Sequence, residues 1–225
     1  MAERPDLFRH NADRNLTWWP EIGVGYYPVP PGDGVYNRAY FERYRELESS
    51  QIACRLNYER CALVARHYSG PVVDVGVGAG TFIKTRELLE APTTYGFDVN
   101  PAAVEWLKAR KLYMPVRELE GVRAVTFWDS LEHIPDFHAI VNRVTEWVFV
   151  ALPIFTDASH VLASKHYRRD EHVWYFTADG LTAHFDMLGF EVREANANES
   201  AIGREGIMSF AFRRRGAHAE WSYSR

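Results

Sequence analysis

The residues best suited to ligand chemistry are three glycines at alternate positions, Gly76, Gly78 and Gly80. They follow a β-branched run at 72–75, which predicts a short buried strand. Glycines placed after a strand allow the backbone to turn sharply and to approach a ligand closely. Asp98 ends a second apolar segment, where its carboxylate could accept hydrogen bonds from ribose hydroxyls. The pattern therefore predicts a nucleoside-containing ligand at the ends of two neighbouring strands.

The spacing of the glycines separates two classes of ligand. A dinucleotide site has the form G-x-G-x-x-G, whereas this loop is one residue shorter. An acid, Asp74, lies inside the strand. The arrangement resembles the cofactor loop of class I S-adenosylmethionine-dependent methyltransferases, whose ligand has no phosphate and carries a cationic amino group, which would give an acid near the loop a purpose. This resemblance implies S-adenosylmethionine as the cofactor and makes a dehydrogenase the weaker interpretation.

The same resemblance implies roles for individual residues. Asp98 would hold the ribose diol, with Val99 beside the adenine. Asp74 would orient the loop or receive the amino group through water. The family's adenine contact follows the third strand, and in this chain that region is short and lacks the common G-D pair, so Glu118 is the candidate there. The complete predicted cofactor set is Asp74, Gly76, Gly78, Gly80, Asp98, Val99, Glu118 and Asp129.

A second group of reactive side chains occupies 128–136, which reads W-D-S-L-E-H-I-P-D. It begins where the fourth strand should end. A later H-x-x-x-F-T segment starts at His172, and a G-F-E segment follows at 189–191. These segments, in this order, resemble a branch of class I methyltransferases that act on small molecules and glycans. The resemblance covers about Val72 to Val192.

These segments suggest two chemistries. His133 or His172, with Glu132 beside them, could act as the general base, because an imidazole titrates near neutral pH. The alternative is a divalent cation, Mg²⁺, Mn²⁺ or Zn²⁺, bound by Asp129, Glu132, His133 and His172, whose oxygen and nitrogen ligands suit such ions. Similar sets occur in ubiquinone-biosynthesis O-methyltransferases and in enzymes that methylate small-RNA ends. Many relatives, however, carry L-E-H without a metal, and Asp129 stands where the metal-binding examples have glutamate.

Alternating strands and helices must position these residues. The strands are predicted at about 72–76, 94–98, 122–128, 147–152, 190–195 and 207–214, and the helices at 36–68, 81–90, 101–111, 137–145 and 177–188. Such alternation predicts a Rossmann-like, doubly wound α/β fold. With the resemblance, we expect a seven-stranded, mostly parallel sheet with a C-terminal antiparallel hairpin, and an N-terminal helical extension. Residues 1–68 would form an aromatic arm and a helix, and 69–225 the methyltransferase core.

The overall composition limits the kinds of binding partner and cellular location that we expect. The chain has 225 residues, 47% of them apolar, and a net charge of −4, which gives no general attraction to polyanions. It has no apolar run long enough to span a membrane and no secretory signal, and its two cysteines fit buried thiols, so we expect a cytoplasmic protein.

Other polar clusters are less specific. The basic run at 164–169 suits either an anionic or hydroxylated substrate or a solvated surface. The segment that contains Glu199, Arg204 and Glu205 is predicted to be an exposed hairpin turn.

Three hypotheses about the function follow. The first is a methyltransferase acting on a hydroxyl or amine of a small molecule or glycan. The second is a metal-assisted O-methyltransferase acting on a nucleotide or a nucleic-acid terminus, and the third is an inactive methyltransferase fold that serves as a binding subunit. The oligomeric state stays open.

Overall fold

The computed structural model describes residues 6–7, 15–28, 36–47 and 50–217. The strands are β1 (Asp6–Leu7), β2 (Thr17–Trp19), β3 (Val24–Tyr26), β4 (Val72–Val75), β5 (Thr94–Phe97), β6 (Ala124–Trp128), β7 (Trp147–Pro153), β8 (Trp174–Phe176), β9 (Phe190–Asn196) and β10 (Ile207–Arg214). The helices are α1 (Arg38–Leu47), α2 (Gln51–His67), α3 (Thr81–Leu88), α4 (Pro101–Ala109), α5 (His138–Val141), α6 (Ala158–Ala163), α7 (Ala178–Met187) and α8 (Asn198–Ala201). Two short 3₁₀ helices lie at Val116–Glu118 and Leu131–His133.

The central sheet has the strand order β5-β4-β6-β7-β10-β9. The first four strands are parallel, and β10 runs antiparallel to both β7 and β9. Strands β4, β6 and β7 are buried along their whole length, as expected for parallel strands with helices on both faces. The predicted doubly wound fold with its antiparallel hairpin is confirmed.

The predicted seventh strand is absent from the described part of the sheet. Among the described residues, one parallel bridge forms at this edge, between Gly96 and Tyr113. Pro115 follows two residues after Tyr113; it has no N–H to donate to a neighbouring strand, and it precedes the 3₁₀ helix at Val116–Glu118. The count of seven was therefore wrong for the described part of the chain, in which the central sheet has six strands.

The predicted single helix at 36–68 was also wrong, because α1 and α2 are separate helices. Ser50 has an extended backbone, and its hydroxyl accepts a hydrogen bond from the Ala53 N–H at 3.2 Å. This is the geometry of an N-cap, for which serine is well suited. The break leaves α1 free to follow a direction different from that of α2. Of the two cysteines on α2, Cys61 is buried but Cys54 is exposed, so the prediction of two buried thiols was half wrong.

A second sheet, with the order β1-β2-β3-β8, contains three short strands from the described N-terminal residues. Leu16 and Trp18 are buried and pack with Phe155 and Tyr175 from the C-terminal half of the chain. The region expected to be an arm is therefore ordered as antiparallel strands over residues 17–26. The division into two units at residue 69 stays a prediction. No helix within the described ranges is long and apolar enough to cross a membrane.

Candidate functional site

The glycine loop between β4 and α3 adopts backbone conformations that favour glycine. Gly76, Gly78 and Gly80 have φ values of +82°, +54° and +76°. A Cβ on Gly76 would lie 2.6 Å from the Ser130 side chain, so this position also needs glycine for space. A Cβ on Gly78 would meet nothing within 4 Å and would extend into open space. The loop thus presents bare backbone to a cavity, which is what a closely bound ligand requires.

Asp98 holds the glycine loop in place. Its carboxylate accepts hydrogen bonds from the Gly78 N–H at 3.1 Å and from the Asn100 N–H at 2.8 Å. Burial raises the pKa of Asp98, and these backbone hydrogen bonds oppose that rise. The structure therefore places Asp98 beside the loop, the position expected of a residue that would bind the ribose. Val99 next to it is 67% exposed, which leaves its side chain accessible to an adenine.

Asp74 and Glu118 lie in contrasting surroundings. Asp74 is buried in β4, lines the cavity and accepts a hydrogen bond from the Thr126 hydroxyl at 2.7 Å. Burial raises the pKa of Asp74 to about 7. Glu118 is exposed, lies 3.7 Å from Arg117 and is not among the residues that line the cavity. The structure gives the proposed adenine contact of Glu118 no support, and that role stays a prediction.

Asp129, at the end of β6, belongs to a compact cluster of charges. Its carboxylate accepts hydrogen bonds from Arg60 at 2.6 Å and from two nitrogens of Arg204 at 2.8 and 2.9 Å. Glu199 is buried and accepts hydrogen bonds from the same two arginines at 2.8 and 2.7 Å. The two arginines hold the pKa of Asp129 well below its usual range, although burial opposes them. We call Arg60, Asp129, Glu199 and Arg204 the charge cluster.

The charge cluster corrects two expectations. Both oxygens of Asp129 are occupied by arginines, so the structure does not bring this residue into the predicted metal set. Glu199 and Arg204 are buried or half-buried cluster members and not part of an exposed turn, whereas Glu205 is exposed as expected. The short helix α8 turns Glu199 inward, and nothing in the local sequence indicates this. Arg60 was missed because its position on α2 gives no pattern that distinguishes it from a surface arginine.

Three of the predicted reactive residues do come together. Glu132, His133 and His172 each offer one ligand atom, and these atoms lie within 4.8 Å of one another. We call them the reactive cluster. The backbone joins its two segments, because the Val173 N–H donates to the Glu132 carbonyl at 2.8 Å. The rings of His133 and His172 meet edge to face, with centroids 4.5 Å apart.

Two buried atoms of the reactive cluster have no hydrogen-bond partner among the described residues. They are Oε2 of Glu132 and Nδ1 of His172. Burial raises the pKa of Glu132 to about 8 and lowers the pKa of His172 to about 2. Buried polar atoms without partners are costly and mark places where a ligand is expected.

Two neighbours contact Nδ1 of His133. The Glu171 carbonyl, 3.0 Å away, can only accept a hydrogen bond and therefore favours the tautomer with the proton on Nδ1. The Tyr36 hydroxyl lies 2.9 Å from the same nitrogen and can either accept from it or donate to it. Burial lowers the pKa of His133, which favours the neutral ring. With the proton on Nδ1, the other ring nitrogen, Nε2, carries a lone pair that can take a proton or bind a cation.

One cavity of about 470 Å³ connects these features. Gly76 and Gly78 line it on one side, Glu132, His133 and His172 on another, and both cluster arginines reach it. Helices α1 and α2 form the remaining wall with Tyr40, Tyr44, Leu47, Ile52 and Leu56. Two residues of the basic run at 164–169, His166 and Arg168, also line the cavity, so part of this run faces the site.

Comparison with known proteins agrees with this geometry. The protein-family model described as a methyltransferase domain matches residues 42–195 of the chain. No curated protein sequence matches the chain. Among solved structures, the chain is similar to magnesium protoporphyrin IX methyltransferase from Synechocystis PCC 6803 with bound SAH, with a TM-score of 0.59 and 14% identity over 80% of this chain and 96% of that one.

Two further solved structures show the same fold. An S-adenosylmethionine-dependent methyltransferase from Archaeoglobus fulgidus has a TM-score of 0.54 and 13% identity, covering 76% of this chain and 99% of that one. The glycopeptide N-methyltransferase MtfA, complexed with S-adenosylmethionine, has a TM-score of 0.50 and 12% identity, covering 71% of this chain and 87% of that one. The substrates described for these similar proteins differ, so the likeness concerns the fold.

Proposed function

The chain belongs to the methyltransferase-domain family, whose class I fold it has, and we propose that it transfers a methyl group from S-adenosylmethionine to a hydroxyl or an amine of a small molecule or glycan. The observation that carries this proposal is the single cavity that joins the glycine loop to the reactive cluster. A cofactor on the loop and an acceptor at the cluster would share one space.

The loop residues fit the cofactor. Gly76 and Gly78 offer backbone to the methionine portion, Asp98 offers carboxylate oxygens to the ribose, and the buried carboxyl group of Asp74, which lines the cavity, would orient the loop or receive the amino group through water. When bound, S-adenosylmethionine supplies a methyl group whose bonding electron pair remains on sulfur as the new bond forms, so catalysis is largely alignment. Helices α1 and α2 line part of the cavity wall and leave the cavity open at its mouth.

The acceptor must lose its proton as the methyl group arrives. In the tautomer that the Glu171 carbonyl favours, Nε2 of His133 is the ring nitrogen without a proton and is the atom we assign to accept it. His172 supplies a second neutral imidazole, and Glu132 a carboxyl group, within the same few ångströms. These three groups would bind the acceptor's hydroxyl or amine and orient its lone pair.

Methyl transfer with a labelled cofactor tests the proposal. Wild-type protein is screened against hydroxylated metabolites, amines, sugar nucleotides and RNA ends, and release of S-adenosylhomocysteine is followed. We expect His133→Gln to lower kcat by about 100- to 10,000-fold, since this is the usual contribution of a general base. His160→Gln, at an exposed position outside the cavity, is the matched control. Absence of S-adenosylmethionine binding in calorimetry would reject the proposal, and full activity of His133→Gln would reject the base.

A second candidate function follows from the unpartnered atoms of the reactive cluster. Glu132, His133 and His172 fit a divalent cation, which would lower the pKa of a bound hydroxyl. Two imidazoles and one carboxylate favour Zn²⁺ or Mn²⁺ over Mg²⁺, which prefers oxygen. Titration of the wild type and His172→Gln with ZnCl₂ and MnCl₂ by calorimetry tests the site directly. Equal heats for both proteins, and full activity in excess chelator, would exclude it.

A further inference from the structure

Helix α1 directs its apolar stripe toward the cavity. Tyr40, Tyr44 and Leu47 occupy positions i, i+4 and i+7 and line the cavity, and Ile52 on α2 continues the stripe across the break. In a globular protein such a stripe normally packs against the core. Here Leu47 and Ile52 are each 56% exposed, and Tyr44 is 37% exposed. The stripe thus forms an apolar rim at the cavity's mouth, which we call the rim.

A row of aromatic rings connects the rim to the reactive cluster. The ring centroids of Tyr36 and Tyr40 are 5.3 Å apart, and those of Tyr40 and Tyr44 are 4.7 Å apart. Tyr36 begins the row next to His133, whose ring centroid lies 6.2 Å from its own. Arg43 lies over the outer two rings at 5.2–5.3 Å and is not one of the cavity-lining residues. Tyr40 and Tyr44 line the cavity and give a bound aromatic or alkyl group apolar contact inward from the mouth, while Tyr36, which is not among the described lining residues, packs between Tyr40 and His133.

The arginines of the cavity are already neutralised by the protein's own carboxylates. Arg60 and Arg204 are paired with Asp129 and Glu199 at 2.6–2.8 Å. Arg168, the third arginine among the described cavity-lining residues, lies 3.2 Å from Glu171. A phosphate or carboxylate of a substrate would have to compete with these internal pairs, and displacing Glu199 from its arginines would leave a buried acid without a partner.

From the rim, the ring row and the neutralised arginines, we propose that the methyl acceptor is an uncharged molecule with an aromatic or alkyl body, whose hydroxyl reaches the reactive cluster while its body lies along the ring row to the rim. This inference rests on the proposed function, because it assumes that the cofactor occupies the loop side of the cavity. It favours a phenol or an apolar alcohol over a nucleotide or a nucleic-acid terminus.

Calorimetry with protein saturated with S-adenosylhomocysteine tests the inference. The probes are phenol, 4-ethylphenol, 4-butylphenol and 4-hexylphenol. We expect Kd to fall by about fourfold for each added methylene, which corresponds to ~0.8 kcal/mol for a buried CH₂. With Leu47→Ser or Ile52→Ser, the total fall in Kd from phenol to the longer phenols should be at least about threefold smaller than with the wild type. Both residues are more than half exposed, so neither substitution removes core packing.

Leu88→Ser is the matched control, because Leu88 is 73% exposed on α3 and does not line the cavity. It should bind all four phenols like the wild type. The inference is overturned if S-adenosylhomocysteine binds normally but Kd does not change along the series, if Leu88→Ser loses as much as Leu47→Ser, or if uridine 5′-monophosphate binds more tightly than 4-butylphenol. No binding of S-adenosylhomocysteine would instead overturn the proposed function together with the inference.

Discussion

At the scale of single residues, two nearby acids meet opposite environments. Asp129 accepts hydrogen bonds from two arginines, which hold its pKa well below the usual range. Glu132, one 3₁₀ turn later, is buried without such partners, and burial raises its pKa to about 8. Partners rather than residue type therefore decide which acid keeps its charge. Asp129 is a structural anion, and Glu132 is the carboxyl group that remains available to a ligand.

Asp129→Asn should destabilise the protein strongly. The substitution leaves Arg60 and Arg204 partly buried with one carboxylate between them, and loss of one partner of a buried pair costs about 3–5 kcal/mol. Urea unfolding measures the change in the free energy of unfolding. Asp136→Asn, at a side chain that is 76% exposed, is the control and should change it by less than about 0.5 kcal/mol. Equal stability of the two variants would show that the charge cluster contributes nothing.

Asp98→Ala should weaken binding of S-adenosylmethionine by about 10- to 1,000-fold. The variant loses the carboxylate proposed to hold the ribose, and it also frees the Gly78 N–H that positions the loop. Each hydrogen bond to a charged group contributes about 1.5–3 kcal/mol. Calorimetric Kd values for the wild type and for Glu105→Ala, an exposed acid on α4, give the comparison. An unchanged Kd for Asp98→Ala would contradict the assigned role.

At the scale of elements, a histidine pair joins α5 to α7. Nε2 of His138 lies 2.6 Å from Nε2 of His184, so one ring must donate and the other accept. Burial, together with His138, lowers the pKa of His184 to about 4. The unfolded state therefore binds more protons than the folded state between about pH 6.5 and pH 4, and stability falls as the pH decreases through this window.

Because of this pair, we expect the free energy of unfolding to be about 1–2 kcal/mol lower at pH 4 than at pH 7, after allowance for solvent screening. Unfolding by urea at several pH values should show a shallower acid dependence for His184→Gln than for the wild type. His160→Gln, at an exposed site on α6, should keep the wild-type slope. If His184→Gln kept that slope as well, the pair would not be the source of the pH dependence.

The elements also show how far the sequence could predict the fold. Strands such as β4 and β7 were placed within a residue or two because short, mostly apolar runs leave few alternatives. Helix α7 was also placed within about a residue, and Thr177 caps it, because its hydroxyl accepts a hydrogen bond from the Gly180 N–H at 2.9 Å. Short elements were missed: β8 pairs with β3 from far away in the chain, a long-range contact that local patterns do not indicate.

At the scale of the whole molecule, the predicted family and fold are confirmed, and the site was predicted in part. Glu132 and His133 follow β6 at the sheet edge where the glycine loop lies, as expected of parallel strands, whereas His172 precedes β8 of the other sheet and was grouped with them only through the resemblance. The charge cluster could not be predicted. It joins α2, the end of β6 and the α8 turn; Asp129 was singled out for other roles, and the other three members have an ordinary surface-like context in the sequence.

Binding of the cofactor product should raise the thermal stability of the whole chain. At S-adenosylhomocysteine concentrations of about 100 times Kd, linkage contributes about 2.7 kcal/mol. For a chain of this length that corresponds to an increase in Tm of about 5–10 °C. NAD⁺ at the same concentration is the control and should leave Tm unchanged, because the glycine spacing does not fit a dinucleotide. A larger shift with NAD⁺ would contradict the cofactor assignment.

The left-handed backbone of Asp129 has a consequence for the history of the sequence. With a φ of +55°, the position favours glycine, asparagine or aspartate, and only aspartate also satisfies two arginines. A mutation at any one member of the charge cluster leaves buried charge behind, so a descendant lineage can depart from it only by changing several members at once. Among natural relatives we therefore expect Arg60, Asp129, Glu199 and Arg204 to be inherited together or lost together.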